Sequence, residues 1–339
     1  MRVLVTGGAG FIGSNFVRHM LQAHADVEIT NFDKLTYAGN AENLADIAED
    51  PRYRFARGDI ADHKAVAEVF KTGFDAVVHF AAETHVDRSI EDAVPFLQTN
   101  VAGTHCLLET ARRYGSPRFI HISTDEVYGT APAGVSLTEE SRLRPGSPYA
   151  ASKAAAEHLV TAYANTYGTY AVILRCSNNY GPFQFPEKLI PLVISNARQG
   201  KRVPVYGDGL QEREWLFVED FCRAIASALR KAESGKVYNV SSGVARDNLN
   251  TVRMILQLLG KPESLIEFVE DRPGHDRRYA LNSTPIRTEL GWSGEIGFEE
   301  GIRRTIAWYE AHEVWLEHAR SGEYRSYYER QYVRRLEKR

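Results

Sequence analysis

The sequence predicts a doubly wound α/β fold, in which helices cover both faces of a parallel sheet, followed by a smaller mixed α/β lobe. Three observations predict it. Short apolar runs alternate with helix-patterned stretches through the first half of the 339-residue chain. A glycine-rich turn joins the first of those runs to the first helical stretch. Beyond about residue 176 the alternation stops, and glycine and proline thicken.

Val3–Val5, Val27–Thr30, Tyr53–Phe55, Ala76–His79, Phe119–Ile122 and Val172–Leu174 read as buried strands, since short continuous apolar runs suit a sheet covered on both faces. Helical spacing marks Ile12–Gln22, Ala65–Phe70, Pro95–Tyr114 and Tyr149–Tyr167 between them. Alternation of this kind builds a parallel sheet, whose ligands bind beyond the carboxyl ends of the strands. Residues 1–176 are expected to form this unit. Residues 177–339 are expected to form mainly a second, substrate-binding lobe, with some segments returning to the first. Asn178–Phe183 and Val205–Gly209 punctuate that second part, and helices are expected at Val218–Arg230 and Leu249–Gly260.

Composition excludes several classes of function. Hydrophobic residues at 43% and charged residues at 25% leave neither a long disordered tract nor a membrane domain to account for. A formal charge of −3 argues against a global footprint for nucleic acid. The basic run Arg325–Arg339 is broken by Glu329 and Glu337 and reads as a solvated helix face. Cys106, Cys176 and Cys222 are odd in number and widely spaced, without metal-ligand or disulfide spacing. No metal is therefore expected. No apolar stretch approaches the roughly 20 residues of a membrane helix, and no leader precedes the first strand. A soluble cytoplasmic protein is the expectation.

Gly8-x-Gly10-x-x-Gly13 follows a strand and opens a helix, the setting that a Rossmann dinucleotide loop requires. Glycines let pyrophosphate approach the backbone, and the helix N-terminus offers N–H groups to it. Asp33 lies 20 residues beyond Gly13, at the end of the second strand. A carboxylate there accepts from a ribose 2′-hydroxyl and repels a 2′-phosphate, so NAD is expected rather than NADP. Asp59 follows the third strand, where an adenine would lie. Phe80-Ala81-Ala82 ends the fourth with small residues near the dinucleotide.

Tyr149 and Lys153 stand one helical turn apart on one face. The lysine cation is expected to favour the phenolate and make Tyr149 a usable base. The strand before that helix ends in Ser123-Thr124-Asp125-Glu126-Val127-Tyr128-Gly129. Thr124 is placed to donate to a substrate oxygen. Two adjacent carboxyls at a strand mouth suggest paired acid and base chemistry.

Together Gly7–Gly13, Ser123–Gly129 and Tyr149…Lys153 resemble the extended short-chain dehydrogenase/reductase family. Within it, Ser123–Gly129 is similar to the corresponding stretch of the dTDP-glucose 4,6-dehydratases. Asp33–Asn40, His85–Ser89, Ser177–Pro182, Lys188–Leu192, Arg213–Leu216 and Asp271–Asp276 extend the resemblance nearly end to end. It implies that Tyr149 takes the sugar 4-hydroxyl proton as hydride passes to NAD. Glu126 would then remove the C5 proton, Asp125 would protonate the departing 6-hydroxyl, and the hydride would return to C6. Thr124 would hold the 4-oxygen.

The resemblance also implies a cofactor set of Gly7, Gly10, Phe11, Ile12, Gly13, Asp33, Lys34, Leu35, Thr36, Asp59, Ile60, Phe80, Ala81, Ala82, Thr84, Thr99, Tyr149, Lys153 and Asn179. The implied substrate set is His85, Ser89, Thr124, Asn178, Glu187, Lys188, Leu189, Val193, Pro204, Tyr206, Arg213, Asn248, Arg272 and His275. Arg213 suits diphosphate, because a planar guanidinium bridges phosphate oxygens. A homodimer pairing the helices Pro95–Tyr114 and Tyr149–Tyr167 is implied too, as is a dTDP-hexose substrate. The 4-keto-6-deoxy product would feed rhamnose or another deoxysugar.

The sequence departs from the family pattern at Ser241–Asn248, where relatives usually carry Gly-Gly-His-Asn-Glu before the asparagine. Phe221 replaces a common histidine and Glu214 a usual aspartate. These departures leave the choice of nucleotide open, and a UDP- or other NDP-hexose is the competing substrate. A nucleotide-sugar 4-epimerase or decarboxylase would share Tyr149, Lys153 and NAD. An epimerase, however, has no C5 proton or C6 hydroxyl to move and no use for an acid pair. A non-catalytic NAD sensor would not need the Tyr–Lys pair.

Overall fold

The computed structural model describes residues 1–115, 117–320 and 328. Its strands are β1 (Arg2–Thr6), β2 (Glu28–Asp33), β3 (Tyr53–Arg57), β4 (Ala76–His79), β5 (Arg118–Thr124) and β6 (Ala171–Cys176), followed by β7 (Asn178–Tyr180), β8 (Val203–Tyr206), β9 (Glu212–Phe217), β10 (Val237–Val240), β11 (Ala245–Asp247) and β12 (Ile266–Val269). Seven form one sheet in the order β10-β6-β5-β4-β1-β2-β3, and each neighbouring pair runs parallel. The order reverses between β1 and β4, which opens a crevice at their carboxyl ends. This is the doubly wound, Rossmann-type sheet that the sequence predicts.

The strands outrun their apolar runs. β2 continues to Asp33 and β5 to Thr124. Asn31, Asp33, Ser123 and Thr124 are polar yet buried. Apolar periodicity stops where a strand begins to serve a site, so it places these strand ends too early. The helix expected over Pro95–Tyr114 runs from Val94 to Arg113 and widens to a π-helical stretch at Leu97–Gly103. Such turns recur at functional sites because they re-aim side chains.

Two segments beyond residue 176 join the first unit. β10 pairs with β6, and the helix Val218–Lys231 packs on the helix Phe11–Ala23. Phe221 lies on that helix and is fully buried in the core against the sheet. The aromatic ring at this position is therefore packing, remote from polar chemistry.

The other segments form a three-stranded sheet in the order β11-β9-β7 and a parallel pair of β12 with β8. Their core gathers Tyr180, Ile194, Trp215, Phe217, Ile255 and Tyr309. The stretch from Ser241 to Asn248 supplies β11 and then Asp247, whose carboxylate caps the helix Asn248–Leu258 by accepting from Asn250 N at 2.7 Å. The basic run Arg325–Arg339 lies, apart from Tyr328, outside the described residues.

A buried ion pair ties the sheet to the turn after β5. Arg175 donates through Nε and Nη2 to Glu157 and through Nη1 to the Tyr128 hydroxyl at 2.6 Å. Tyr128 donates in turn to Asn239 Oδ1 at 2.8 Å. Removing one partner strands a charge in the interior. Arg175→Met is therefore expected to cost about 3–5 kcal/mol of stability in denaturant unfolding. A loss near zero would show that water reaches Glu157.

Candidate active site

A cleft of about 290 Å³ opens where the strand order reverses. Gly7 makes its floor possible. Its φ is +74°, and a Cβ there would fall 2.5 Å from Ala81 N, so only glycine lets the first loop touch the end of β4. Gly10 offers no side chain to cap the helix Phe11–Ala23, whose first N–H groups are left for a ligand.

Gly7, Gly10, Phe11, Ile12, Gly13, Asp33, Lys34, Thr36, Asp59, Ile60, Phe80, Ala81, Ala82, Thr84, Thr99, Tyr149, Lys153 and Asn179 all line this cleft. Leu35 stands off the wall. Its φ of 57° turns the chain, so that its N–H donates to Asp33 Oδ1 at 2.8 Å. Asp33 Oδ2 accepts from Ala9 N at 2.9 Å, and each carboxylate oxygen keeps capacity for a hydroxyl. Burial raises the Asp33 carboxyl above its ordinary range against the pull of those two N–H groups. Burial works the same way on Asp59, but Lys34 at 2.7 Å and the Ala61 N–H prevail and hold it low.

Ala9 is clasped from its other side as well. Its carbonyl accepts from Asn40 N at 3.0 Å and Asn43 Nδ2 at 2.8 Å. Asn43 Oδ1 accepts from Trp315 Nε1 at 2.7 Å, across 272 residues.

The catalytic candidates meet at the mouth of β5. Thr124 caps a short 3-10 turn, Asp125–Tyr128, by accepting from Glu126 N at 3.2 Å. Gly129 closes that turn with φ +69°, and a Cβ there would lie 2.3 Å from Arg144 O. Ser147 Oγ accepts from Ala150 N and Pro148 follows it, so the helix Pro148–Tyr167 starts just ahead of Tyr149. Ser89, expected on the substrate, accepts from Tyr149 N at 3.2 Å and donates to Val86 O. Ser89 therefore supports the candidate base through its backbone.

Electrostatics separates the two acids. Burial holds Asp125 well above the carboxylate range, with Glu126 adding to the effect. Burial raises Glu126 too, but Arg272, Arg213 and Lys188 pull it back. Asp125 therefore holds its proton more firmly than Glu126. Lys153 lines the same cleft as Tyr149. Its Nζ donates to Ile122 O at 2.7 Å, and burial brings its pKa down to about 8. The Tyr149 phenol is pushed well up by burial and then by Glu126. Such a group is a phenol at neutral pH.

Asn178, Glu187 and Lys188 also line the cleft. Lys188 Nζ donates to Thr84 O at 2.9 Å. Glu187, pushed up to about 7 by burial, lies 3.5 Å from Arg88 and 3.8 Å from the buried His85. Arg213 makes no ion pair with Glu212 or Glu214. Its guanidinium donates to the carbonyls of Glu212 and Asp276 and stacks 4.2 Å over Tyr279. Glu214 instead accepts from Leu281 N at 3.1 Å. Arg272 pairs with Asp87 at 3.3 Å, Tyr206 donates to the same carboxylate at 3.0 Å, and His275 meets Asp271 at 2.6 Å. Asn248 N donates to Gln211 O at 3.0 Å. Leu189, Val193 and Pro204, the apolar members of the expected substrate set, belong to the second unit's packing. Val193 is wholly enclosed in the second core with Leu189 packed against it, and Pro204 is buried in β8.

The residues present fit a dinucleotide. Ser123 Oγ, Asp125 Oδ2, Ser177 Oγ, Asn178 Oδ1 and Asn179 Oδ1 are buried without a hydrogen-bond partner, and all five residues line the cleft. Polar atoms so placed await a ligand. Among the described residues no His/Cys/Asp/Glu group is set to hold a metal ion. Sequence patterns also miss Asn100, in the π-helical stretch. Its Oδ1 accepts from Glu83 N at 2.9 Å, and its Nδ2 donates to Glu83 O and to Ser152 Oγ at 2.8 Å.

Comparison with known proteins agrees with this geometry. A family model described as GDP-mannose 4,6 dehydratase matches residues 4–305. A dTDP-glucose 4,6-dehydratase of Streptomyces niveus is 50% identical over 325 residues, spanning 95% of this chain and 96% of its own. The crystal structure of DesIV, a dTDP-glucose 4,6-dehydratase of Streptomyces venezuelae with NAD and TYD bound, has a TM-score of 0.92 and 49% identity over 94% of this chain and 100% of that one. A Thermus thermophilus UDP-glucose 4-epimerase in complex with NAD stands further off, at 35% identity and a TM-score of 0.85 over 92% of this chain and 100% of its own. The chain therefore belongs to the GDP-mannose 4,6-dehydratase family and groups within it with the dTDP-glucose 4,6-dehydratases.

Proposed function

We propose that this protein dehydrates dTDP-glucose to dTDP-4-keto-6-deoxyglucose with NAD as a recycled cofactor. The observation that carries the reading is the adjacent pair Asp125 and Glu126, set in the same cleft as Tyr149 and driven apart in acidity by their surroundings. An epimerase has no task for such a pair.

Gly7–Gly13, Asp33 and Asn179 would hold the cofactor. When bound there, NAD would supply the hydride acceptor for C4 oxidation and the hydride donor for C6. Tyr149 takes the 4-hydroxyl proton while Thr124 holds the oxygen. Glu126 removes the C5 proton, made acidic by the 4-ketone. Asp125 gives its proton to the 6-hydroxyl, which leaves as water. Arg213, Arg272 and Lys188, whose charges all pull Glu126 toward ionisation against its burial, are the cations available to the diphosphate.

The test is a panel of dTDP-, UDP-, GDP- and CDP-hexoses given to the purified protein. The expected result is a 4-keto-6-deoxy product from dTDP-glucose without net NADH. Preference for another nucleotide would assign the atypical Ser241–Asn248 stretch to nucleotide choice. A recycled cofactor is best kept bound, and the Trp315–Asn43–Ala9 chain braces the loop that holds it. Trp315→Phe keeps the ring but loses the N–H. NAD retained through gel filtration should fall with an affinity loss of about fivefold, the scale of one hydrogen bond. Unchanged retention would show that Asn43 holds Ala9 unaided.

The division into a 1–176 cofactor unit and a mainly 177–339 substrate lobe belongs to the same reading. So does a homodimer. Val94 and Leu97 are 55% and 53% exposed on the helical rod that flanks the helix Pro148–Tyr167, a face suited to a second copy. Light scattering at twice the chain mass is the expected result. No helix among the described residues is long and apolar enough to cross a membrane, and the three cysteines are free and buried. Both fit a cytoplasmic enzyme that supplies rhamnose or another deoxysugar.

A further inference from the structure

The loop after β2 borders the cofactor cleft without giving all its side chains to it. Lys34, Thr36, Ala38 and Gly39 line the cleft, whereas Tyr37 sits among them but outside that lining. The loop is fixed at both ends. Leu35 N donates to Asp33 Oδ1 at 2.8 Å, and Asn40 N donates to Ala9 O at 3.0 Å. Between these ends Tyr37 meets two other segments. The Arg88 guanidinium lies 3.8 Å from its ring centroid, and the Phe185 ring stands edge-on to it at 5.8 Å between centroids. Arg88 belongs to the helix Val86–Glu91 beyond β4, and Phe185 to the stretch before the helix Leu189–Arg198.

Those two segments are also tied to each other. Lys188 Nζ donates to Thr84 O at 2.9 Å, and Arg88 lies 3.5 Å from Glu187. Thr84, Phe185, Glu187 and Lys188 all line the cleft. Three cleft-lining segments of the chain therefore meet at Tyr37, and they part only where its contacts break.

Resting on the reading of a recycled NAD, we propose that Tyr37 is a pin that sets how fast the cofactor enters and leaves the cleft, and not how tightly it is held. Its contacts with Arg88 and Phe185 lie outside the cleft lining and belong to the protein alone. An interaction of equal strength in two states shifts no equilibrium between them. One that must break on the way between them slows passage in both directions. Trp315 and Asn43 act otherwise, because their chain ends through Ala9 on Asp33, a carboxylate that lines the cleft. Affinity is their readout and rate is that of Tyr37. Slow passage suits a reaction in which the hydride taken from C4 is returned to C6. Cofactor lost between the two transfers would leave the sugar unreduced at C6.

The experiment takes the NAD-loaded protein through two measurements. Exchange with radiolabelled NAD gives the release rate, and equilibrium dialysis against graded NAD gives the affinity. Tyr37→Ala is expected to speed exchange about tenfold, the scale of one partly buried cation–π contact, with affinity held within about twofold. Tyr37→Phe keeps a ring face for Arg88 and should exchange at the wild-type rate. Arg88→Met should speed exchange on its own but add little to Tyr37→Ala, where the contact is already gone. Turnover of dTDP-glucose by loaded Tyr37→Ala should match wild type, since no cofactor exchange is needed within a cycle. An unchanged exchange rate in Tyr37→Ala would overturn the pin. A loss of affinity equal to the gain in release would overturn it too and make Tyr37 part of the binding wall. So would a fall in turnover as large as the gain in exchange, the mark of a loop displaced as a whole. Failure of the underlying reading looks different, because wild-type protein would then hold no NAD to exchange or form no 4-keto-6-deoxy product.

Discussion

Glu126→Gln is expected to stop the reaction after oxidation at C4 and to lower turnover by about 10²–10⁴-fold, the range for a lost general base. Glutamine keeps the size and polarity of the side chain but cannot take the C5 proton. The surrounding charges favour this carboxyl over its neighbour as the proposed base. Both are buried, but Arg272, Arg213 and Lys188 together pull Glu126 back toward ionisation. Asp125 has Glu126 and Glu214 pushing its acidity further down, against Arg213. In a single turnover the variant should accumulate reduced cofactor, seen by its absorbance, because oxidation precedes the missing step. In deuterium oxide the substrate C5 position should stay protonated. Exchange at the wild-type rate would assign the base elsewhere in the cleft.

The parts of the site legible in the sequence are those in which chemistry and local geometry share a short stretch of chain. Gly8-x-Gly10-x-x-Gly13 encodes a turn and a helix start together. Thr124–Glu126 places three side chains on one turn, and Tyr149 with Lys153 needs only helical spacing. These residues line one cleft because each stretch follows the carboxyl end of a sheet strand, which the alternation of strand and helix also made legible.

Other features depend on contacts that no local pattern carries. Asn43 matters through Trp315, 272 residues away, and Asn100 through Glu83 and Ser152. Each reads in isolation as a polar residue on a helix. Ser89 and Val193 match family positions, but the structure shows one bracing the Tyr149 backbone and the other filling a core. The π-helical stretch at Leu97–Gly103 has no apolar period of its own to reveal it. Helical spacing pairs Lys153 with Tyr149 but says nothing of the Ile122 carbonyl, which accepts a hydrogen bond from the Lys153 ammonium group.

Tyr149→Phe is expected to suppress the first step, with transient reduction of bound cofactor slowed by about 10³-fold. The phenol has a ring environment that phenylalanine can keep, since it stands edge-on to Phe96 at 6.3 Å between centroids. Packing should therefore survive, and the loss should fall on the step and not on sugar binding. The wild-type pH profile of that step carries a second signature. Burial lowers Lys153 to about 8, so its cation is present below that value and lost as pH rises through it. Phenolate next to a neutral amine is less favourable than phenolate next to an ammonium. Oxidation should consequently decline on the alkaline side near that value, although the phenol itself ionises more readily there. Lys153→Arg, which keeps its charge throughout, should remove the decline even where its longer side chain lowers the maximum. Near-normal transient NADH in Tyr149→Phe would assign the 4-hydroxyl proton to another acceptor, and Thr124 and Glu126 would be the groups to examine next.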